Sequence, residues 1–330
     1  MSDNFDIVHD IMKLAVLALG GVFDTGLAAV LDTFATANEL AAAQGWPAPP
    51  FDVRVTGLRR RVQTALGLQV PVQPVDDAPA DWLVLPAIGA KMPPALVAAL
   101  ATREVQEAAA HLRERHAAGT RVAAACIGGF VLAESGLLDG HDATVSWWLG
   151  PLFRERYPAV RLDESRMLVA SGDFITTGAA IAHIDLALCL VRQVSPELAA
   201  VTARYLIVDP RPSQAPYVIP DHLAHSDPLV GRFERWAREH LAEGFSLDAA
   251  ADALATSPRT LQRRLEAVLG KSPLSYVQDL RVQRAVHLLQ TSRSDVEAIA
   301  AQVGYADAVT LRALLRRKLG RGVRELRAWG

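Results

Sequence analysis

The sequence predicts two domains, an α/β domain with a largely parallel sheet followed by an all-α domain. Three observations support this prediction: short apolar strands alternate with helical stretches over the first two hundred residues, a proline-rich break follows, and strand signals then vanish. At 330 residues the chain suits two domains, and its 51% hydrophobic and 21% charged residues are typical of globular proteins.

Apolar runs mark the predicted strands of the first domain. They are Lys13–Leu19, Phe51–Gly57, Trp82–Pro86 and Arg121–Ala125. The stretches that alternate with them or continue the pattern are Gly26–Ala43, Pro93–Ala118, Gly128–Gly136 and Thr177–Val194. Strands that are apolar throughout and separated by helices are buried on both faces, as in a parallel sheet.

The α/β domain, residues 1–206, is predicted to end where prolines begin to interrupt the chain. These are Pro210, Pro212, Pro216, Pro220 and Pro228. Because proline removes a backbone donor and breaks helices, residues 207–227 are interpreted as a linker. Residues 228–330 then form the all-α domain, in which glycines separate short amphipathic helices.

The net charge of the chain changes sign at the end of the predicted linker. Residues 228–330 hold 17 Lys and Arg against 11 Asp and Glu, a net charge of +6, whereas residues 1–227 hold 17 against 25, a net charge of −8. This asymmetry indicates that only the second domain meets a polyanion.

The composition also bears on where the protein acts. The acidic start of the chain is unlike a signal peptide, and the apolar run Leu14–Leu19 is too short to span a bilayer, so no membrane partner is expected. The two cysteines, Cys126 and Cys189, exclude a disulfide framework. We therefore expect a cytoplasmic protein with free thiols, and we predict no cofactor and no metal site.

Two helical segments at 246–270 have the pattern of a helix-turn-helix unit. Ser246 and Ser257 are predicted N-caps, and Pro258 takes the first helical position of the second segment. That second helix has an apolar face of Leu261, Leu265 and Val268 and a polar face of Arg259, Gln262, Arg263 and Glu266. Arginine can bridge guanine O6 and N7, and glutamine can bridge adenine N6 and N7, so the polar face suits the major groove.

The pattern repeats about fifty residues later. Asp295–Val303 gives a short helix, Gly304-Tyr305 the turn, and Asp307 caps the next helix. In that helix Leu311, Leu314 and Leu315 are predicted to face the core, and Ala308, Val309, Arg312 and Arg316 to lie on the opposite side. Two such helices on one rigid body could enter successive major grooves about 34 Å apart.

Residues 228–330 resemble the AraC-type DNA-binding domain throughout. The matching stretches are Ser257–Arg264, Gly270–Pro273, Tyr276, Arg281–Ala285, Leu288-Leu289, Ile299-Ala300, Val303–Tyr305 and the last arginine-rich helix. The resemblance implies double-stranded DNA as the partner and two helix-turn-helix units. The DNA-binding residues that it implies are Arg259, Thr260, Gln262 and Arg263 in the first unit and Ala308, Val309, Arg312 and Arg316 in the second.

The second unit departs from the family pattern. Leu311 and Leu315 stand where the family usually has phenylalanine, Ala313 where it often has arginine, and Gly322-Val323 where it usually has Ser-Pro. We therefore expect the first unit to supply more of the base specificity, and the second to depend more on apolar contacts and on phosphate contacts from Arg316.

In the first domain, the stretch Arg121–Phe130 has the pattern of a nucleophile elbow. A buried strand ends at Cys126, and a helix follows two glycines, so backbone N–H groups such as that of Ile127 lie beside the sulfur. Such a position lowers a thiol pKa and suits nucleophilic chemistry or anion binding. Three interpretations stay open for Cys126: catalysis, a ligand or redox pocket, and packing alone.

Residues 13–200 resemble the class I glutamine amidotransferase-like, or PfpI-like, domain. The matching pieces are Val16–Asp24, Leu31–Phe34, Asp81–Pro86, Leu132–Gly140, Ala143–Trp147 and Ile184–Leu188. The fold implied is a flavodoxin-like α/β sandwich. Catalytic members pair the elbow cysteine with histidine, but Ser146 occupies that position here and cannot act as an imidazole base.

The resemblance therefore implies a non-catalytic domain with a vestigial or ligand-binding elbow. Its residues are Asp24, near the place of an acidic partner, with Cys126, Ile127 and Ser146. His183 lies within an apolar helix and is interpreted as a packed or hydrogen-bonded core residue.

Together the two domains favour a DNA-binding transcription regulator that is not an enzyme. Its α/β domain would sense an unidentified small-molecule effector or mediate homodimerisation. The alternative is a cysteine-dependent amidase, hydratase or protease-like enzyme that uses Cys126, and a third possibility is a constitutive architectural DNA-binding protein without a ligand.

Overall fold

The computed structural model describes residues 11–76, 78–214, 217 and 227–327. The chain divides into two units, Met1–Ala215 and Pro216–Gly330. The boundary between them falls inside the predicted linker 207–227, of which residues 215–216 and 218–226 lie outside the described ranges. The first unit therefore extends nine residues beyond the predicted domain end at 206.

The first unit is built on a central β-sheet. Its strands in the described residues are β1 (Met12–Leu17), β2 (Phe51–Gly57), β5 (Gln73–Pro74), β6 (Trp82–Leu85), β7 (Arg121–Ala125), β10 (Leu168–Ser171) and β11 (Phe174–Thr177). They lie in the order β10-β11-β7-β6-β1-β2-β5, and all neighbours are parallel except β10 and β11. Two short pairs lie outside it, β3 (Val62–Gln63) with β4 (Gln69–Val70) and β8 (Asp142–Ala143) with β9 (Arg161–Leu162).

Helices cover both faces of this sheet. On one face lie α1 (Asp24–Ala43), α6 (Ala182–Val194) and α7 (Pro196–Tyr205); on the other lie α2 (Pro93–Leu100), α3 (Arg103–Ala117), α4 (Gly128–Glu134) and α5 (Gly150–Arg156). Leu83 and Leu85 of β6 pack into the second layer, and Trp82 and Val84 pack into the first. This two-sided burial is why β6 is apolar throughout.

The strand order confirms the predicted flavodoxin-like α/β fold. Taken in chain order, strands β1, β2, β6, β7 and β11 are arranged 2-1-3-4-5, the order of flavodoxin-like sheets. Where the sequence predicts one helix over Pro93–Ala118, the structure has two, because the Thr102 side chain accepts a hydrogen bond from the Val105 N–H and starts a new helix.

The second unit is helical throughout its described elements. They are α8 (Pro228–Glu239), α9 (Leu247–Ala253), α10 (Pro258–Leu269), α11 (Pro273–Thr291), α12 (Val296–Gln302), α13 (Ala308–Leu319) and α14 (Val323–Arg327). The predicted all-α domain is confirmed. Its C-terminal half packs around a core to which Ile299, Leu311 and Leu315 contribute fully buried side chains.

His183 is a buried, hydrogen-bonded residue of α6, as the sequence predicts. Its Nε2 accepts from the Ala87 N–H at 3.1 Å and its Nδ1 lies 2.5 Å from the Ala180 carbonyl oxygen. Burial lowers the pKa of His183 to about 4, because the imidazolium is poorly solvated there. The ring is therefore neutral at neutral pH, and both of its nitrogens are engaged with the backbone.

This burial predicts acid sensitivity of the α/β domain. Since the folded-state pKa lies below the unfolded-state value, the stability is complete above about pH 6.5 and falls as the pH drops towards about 4, by about 3 kcal/mol. Urea titrations across this range measure it. The His183→Gln variant should lose this component of the pH dependence, whereas the exposed control His287→Gln should keep it; parallel profiles for all three proteins would contradict the assignment.

Candidate DNA-binding surface and elbow site

Two capped helices form the first helix-turn-helix unit. Ser246 begins α9, its Oγ accepting from the Ala249 N–H at 3.3 Å, and Ser257 begins α10, its Oγ accepting from the Thr260 N–H at 3.1 Å. Gly270 ends α10 in a left-handed conformation with φ +64°. These local signals are the ones that the sequence carries, so both predicted N-caps are found.

The polar face of α10 is exposed. Arg259, Gln262 and Arg263 are all exposed, whereas Leu261 and Leu265 are fully buried. The Gln262 Nε2 donates to Glu266 Oε1 at 2.9 Å. This bond engages one of the two amide hydrogens of Gln262.

The flanking residues of α10 have structural contacts. Thr260 is half-buried, and its Oγ1 accepts from the Ser257 Oγ at 2.9 Å, which strengthens the N-cap. Arg264 forms an ion pair with Asp227, the N-cap of α8. Arg264 therefore anchors α10 to α8, and its neighbour Arg263 is left at the exposed surface.

The second helix-turn-helix unit consists of α12 and α13. Asp307 caps α13, its Oδ1 accepting from the Thr310 N–H at 2.7 Å, and this hydrogen bond lowers the pKa of the Asp307 carboxyl. Val309 is 71% exposed at the start of α13, and Arg312 and Arg316 are exposed further along. Arg312 also pairs with Glu297 of α12, with Nη2 and Oε1 3.4 Å apart.

Ala308 is not on the exposed face where the sequence analysis places it. Its side chain is only 3% exposed and packs into the core with Leu311 and Leu315. The reason is its spacing: residues 308, 311 and 315 follow the i, i+3, i+7 pattern of one helix face. The predicted exposed position of Ala308 is therefore wrong, and its side chain is a core residue.

Beside α13 lies a basic groove. It has a volume of about 700 Å³ and is lined by Arg312, Arg316 and Arg324 together with Gly320, Gly322, Val323 and Glu325. Its arginines can hold phosphate oxygens through charge-assisted hydrogen bonds. Arg324 of α14 is not among the residues that the sequence analysis names for the site.

A buried arginine joins the two helix-turn-helix units. Arg281 of α11 is 7% exposed, its Nε donates to the Leu241 carbonyl at 3.1 Å, and its Nη2 donates to the Glu243 carbonyl. Its guanidinium also lies 5.2 Å from the ring centre of Tyr305, in the turn between α12 and α13. The Arg281 side chain thus connects the segment before α9 with the turn of the second helix-turn-helix unit.

In the α/β domain, the structure places Cys126 at a strand-to-helix elbow. Cys126 follows β7 directly and has φ +54°, the left-handed region that non-glycine residues rarely adopt. Its N–H donates to the Thr177 carbonyl at 2.7 Å. Gly128 begins α4, and a Cβ there would collide with the Leu85 carbonyl oxygen, so glycine is required for the close packing.

Ser146 is the direct partner of Cys126. Cys126 Sγ and Ser146 Oγ lie 2.8 Å apart, and the Ser146 Oγ also accepts from the Ala179 N–H at 3.2 Å. Burial raises the pKa of the Cys126 thiol, and the opposing effects of Ser146, the Ile127 N–H and Lys91 are smaller. The sulfur is therefore a neutral thiol, in contrast to the lowered pKa that the elbow pattern predicts.

The elbow residues named from the sequence are only partly brought together. Ile127 is 1% exposed and joins Cys126 in the core. Asp24 is the first residue of α1, and its Oδ2 accepts from the Leu66 N–H at 3.1 Å. Within the described residues no hydrogen bond joins Asp24 to Cys126 or Ser146, and no histidine bonds to the thiol.

The described residues bear on two other classes of site, metal centres and membrane spans. Within the described part of the chain, no group of three or more His, Cys, Asp or Glu side chains could hold a metal ion. No helix among the same residues is long and apolar enough to cross a membrane.

Comparisons of sequence connect the chain with transcription regulators. Residues 250–328 match the family described as a helix-turn-helix domain. The transcriptional activator RhaS of Escherichia fergusonii is 38% identical over 103 residues, which are 31% of this chain and 37% of that protein. The transcriptional regulator GbdR of Pseudomonas aeruginosa is 28% identical over 287 residues, covering 84% of this chain and 74% of that protein.

Solved structures are similar to about three fifths of the chain. An AraC family transcriptional regulator from Pseudomonas putida is 22% identical, with a TM-score of 0.46, over 59% of this chain and 99% of that chain. A ThiJ/PfpI family protein from Pseudomonas syringae is 21% identical, with a TM-score of 0.49, over 61% of this chain and 77% of that chain.

Proposed function

We propose that this chain, a homologue of the AraC-type transcription regulators with an α/β sandwich ahead of its helix-turn-helix domain, recognises specific double-stranded DNA sequences. The observation that carries the proposal is the exposed face of α10, where two arginines and a glutamine stand opposite a fully buried apolar face. Arginine and glutamine make the bidentate contacts that distinguish guanine and adenine. The net charge of +6 on residues 228–330 favours the phosphate backbone.

Within this proposal the two helix-turn-helix units have different roles. Arg259, Gln262 and Arg263 contact bases, with Thr260 supporting the start of their helix. Val309 makes apolar contact with bases, and Arg312 and Arg316 hold phosphates from the groove beside α13. Because contacts to the uncharged bases depend less on salt than contacts to the phosphates, the two roles are separable by experiment.

We assign the α/β domain, residues 1–206 with the extension to 215, the role of a PfpI-like sensor or dimerisation domain without catalytic activity. A small-molecule effector would bias how two protomers in the cytoplasm present their DNA-binding domains. The partner of Cys126 among the described residues supports this role over the enzyme alternative: it is a serine hydroxyl, and the neutral His183 is bonded to the backbone on both nitrogens.

A genome-wide binding map of the tagged protein tests the DNA-binding function. Discrete peaks that share a sequence, and that purified protein binds in an anisotropy assay, are the expected result. Their neighbouring genes would indicate the effector class. Binding without sequence preference, both in cells and in the purified system, would contradict the proposal.

The reactivity of Cys126 tests the enzyme alternative. We expect iodoacetamide at about pH 7.5 to alkylate this thiol about a hundredfold more slowly in the folded chain than in urea, because the thiol is buried and its pKa is raised. Mass spectrometry of the tryptic peptide measures the rate. Rapid alkylation, together with a hydrolytic or hydratase turnover that Cys126→Ala abolishes, would favour the enzyme.

A further inference from the structure

The chain that leaves the α/β domain is bound back onto that domain. Residues 207–214, here called the strap, lie in the segment that the sequence predicts to be linker. Arg211 forms an ion pair with Asp185 of α6, with Nη2 and Oδ2 2.6 Å apart. The Ser213 Oγ donates to the Ser165 carbonyl at 2.8 Å. The strap therefore belongs to the packed structure of the first unit.

The strap ends in a buried glutamine. Gln214 has no exposed surface, although it is polar and lies beyond the last helix of the domain. Its side-chain oxygen accepts from the Trp147 N–H at 3.2 Å. Its side-chain nitrogen lies within hydrogen-bonding distance of the Val145 carbonyl (2.9 Å), the Arg166 carbonyl (3.0 Å), the Thr144 Oγ1 (3.2 Å) and the Glu164 carbonyl (3.2 Å).

Two of these partners lie on either side of Ser146. Val145 and Trp147 are its immediate neighbours in the chain, and both bond to the Gln214 amide. Ser146 itself contacts the Cys126 thiol. The amide of the strap and the thiol of the elbow thus act on the same three-residue segment.

The segment 177–179 also connects Gln214 with the Cys126–Ser146 pair. A Cβ at Gly178 would overlap the Gln214 amide, so the two residues are in close contact. On one side of Gly178, the Thr177 carbonyl accepts from the Cys126 N–H; on the other, the Ala179 N–H donates to the Ser146 Oγ. Gln214 is therefore packed against both segments that hold the Cys126–Ser146 pair.

We propose that Gln214 is a positioning residue that couples the strap to the Cys126–Ser146 pair, so that displacement of Ser146 releases the strap from the α/β domain. Close-packed interiors adopt discrete arrangements and transmit small shifts, and a buried amide cannot stay without its partners. Release would detach the eight residues 207–214 from the α/β domain, a contour of about 26–29 Å. Any effect of this release on DNA binding rests on the proposed function. The coupling between Gln214 and the Cys126–Ser146 pair does not.

Hydrogen–deuterium exchange of the full chain tests the coupling from the strap side. In Gln214→Ala we expect exchange over 207–214 to rise by about tenfold, and alkylation of Cys126 by iodoacetamide to rise by about threefold. Gln214→Met, which keeps the volume but removes the hydrogen bonds, replaces Gln214→Ala if the latter does not fold. Gln193→Ala, at an exposed glutamine of α6, is the matched control and should change neither readout.

The reciprocal experiment starts from the elbow. Ser146→Ala should raise exchange over 207–214 by about threefold, because coupling between two sites acts in both directions. Ser135→Ala removes another buried serine, at the end of α4, and should leave the strap unchanged. If Gln214 and Ser146 had a merely structural role, their substitution would raise exchange across the whole domain. It would not selectively affect the strap and the Cys126–Ser146 pair.

The outcomes separate the coupling from the proposed function. Two outcomes overturn the coupling, whatever the DNA-binding result. In the first, Gln214→Ala raises exchange over 207–214 but leaves Cys126 alkylation unchanged. In the second, Ser146→Ala leaves exchange over 207–214 unchanged. Neither readout involves DNA, so failure of specific DNA binding would overturn the proposed function alone.

Discussion

Replacing Gly304 by alanine is expected to lower the free energy of unfolding of the DNA-binding domain by about 3 kcal/mol or more. Gly304 has φ +80°, so any side chain there adopts a strained left-handed backbone. In addition, a Cβ at this position would lie 2.5 Å from the Leu241 carbonyl oxygen and 2.7 Å from Arg281 Nη2. The first neighbour is backbone and the second is a buried guanidinium, so neither can move aside at low cost.

The functional effect should follow from the same contact. Arg281 joins the segment before α9 to the turn of the second helix-turn-helix unit. Displacing the Arg281 side chain therefore alters the placement of α13 relative to α10. We expect DNA affinity to fall by about tenfold or more even below the melting temperature. Chemical denaturation and fluorescence anisotropy measure the two effects.

Gly320→Ala is the matched control in the same domain. Gly320 also has a left-handed backbone, with φ +67°, but nothing lies within 4 Å of the Cβ that alanine would add. It should cost only the backbone strain, about 1–2 kcal/mol. Equal losses in the two variants would show that the collision with Leu241 and Arg281 contributes nothing.

Replacing Arg263 by alanine is expected to reduce discrimination between the preferred DNA sequence and its mismatches by about ten- to a hundredfold, since a bidentate contact to guanine contributes about 1–3 kcal/mol. The preferred sequence would first be selected from a random library. Arg316→Ala should instead weaken binding to all sequences alike and reduce the slope of log affinity against log salt by about one.

Arg192→Ala serves as the control, because it removes an equal charge from α6 of the α/β domain. It should change neither the discrimination nor the salt slope. If Arg263→Ala and Arg316→Ala lost only general affinity, the division of roles between the two helix-turn-helix units would be wrong. The proposal that the domain binds DNA would stand.

Local patterns predicted the elements well. The N-caps Ser246 and Ser257 carry their signal within three residues of the N–H groups that they accept from, and both start helices as predicted. The runs Phe51–Gly57 and Arg121–Ala125 form strands with the predicted bounds; Arg121–Ala125 is apolar and buried after its first residue, whereas Phe51–Gly57 alternates apolar residues with Asp52, Arg54 and Thr56. These features depend on neighbours in the chain, and the sequence shows such neighbours directly.

Contacts between distant parts of the chain were not predictable in this way. Gln214 lies in a proline-rich segment that has the composition of a linker, and its partners Thr144 and Arg166 are 70 and 48 residues away. Arg281 similarly bonds to a carbonyl 40 residues earlier. Such long-range hydrogen bonds leave no periodic pattern, so the sequence predicts neither the strap nor the connection between the two helix-turn-helix units.

Ala308 shows a different limit. A small residue fits either face of a helix, so only its spacing from Leu311 and Leu315 places it in the core. For Cys126, the elbow pattern correctly locates a strand-to-helix turn, but the pKa depends on burial that the pattern does not include.

The buried end of the strap also decides where the α/β domain can be cut for separate expression. A fragment that stopped at residue 206 would remove Gln214 and with it the hydrogen bonds to the Trp147 N–H and the Val145 carbonyl, at a cost of about 1–3 kcal/mol for each. Gly178 would then border a void with no side chain of its own to fill it. A shortened chain for crystallisation or ligand screening should therefore keep every residue through Ala215.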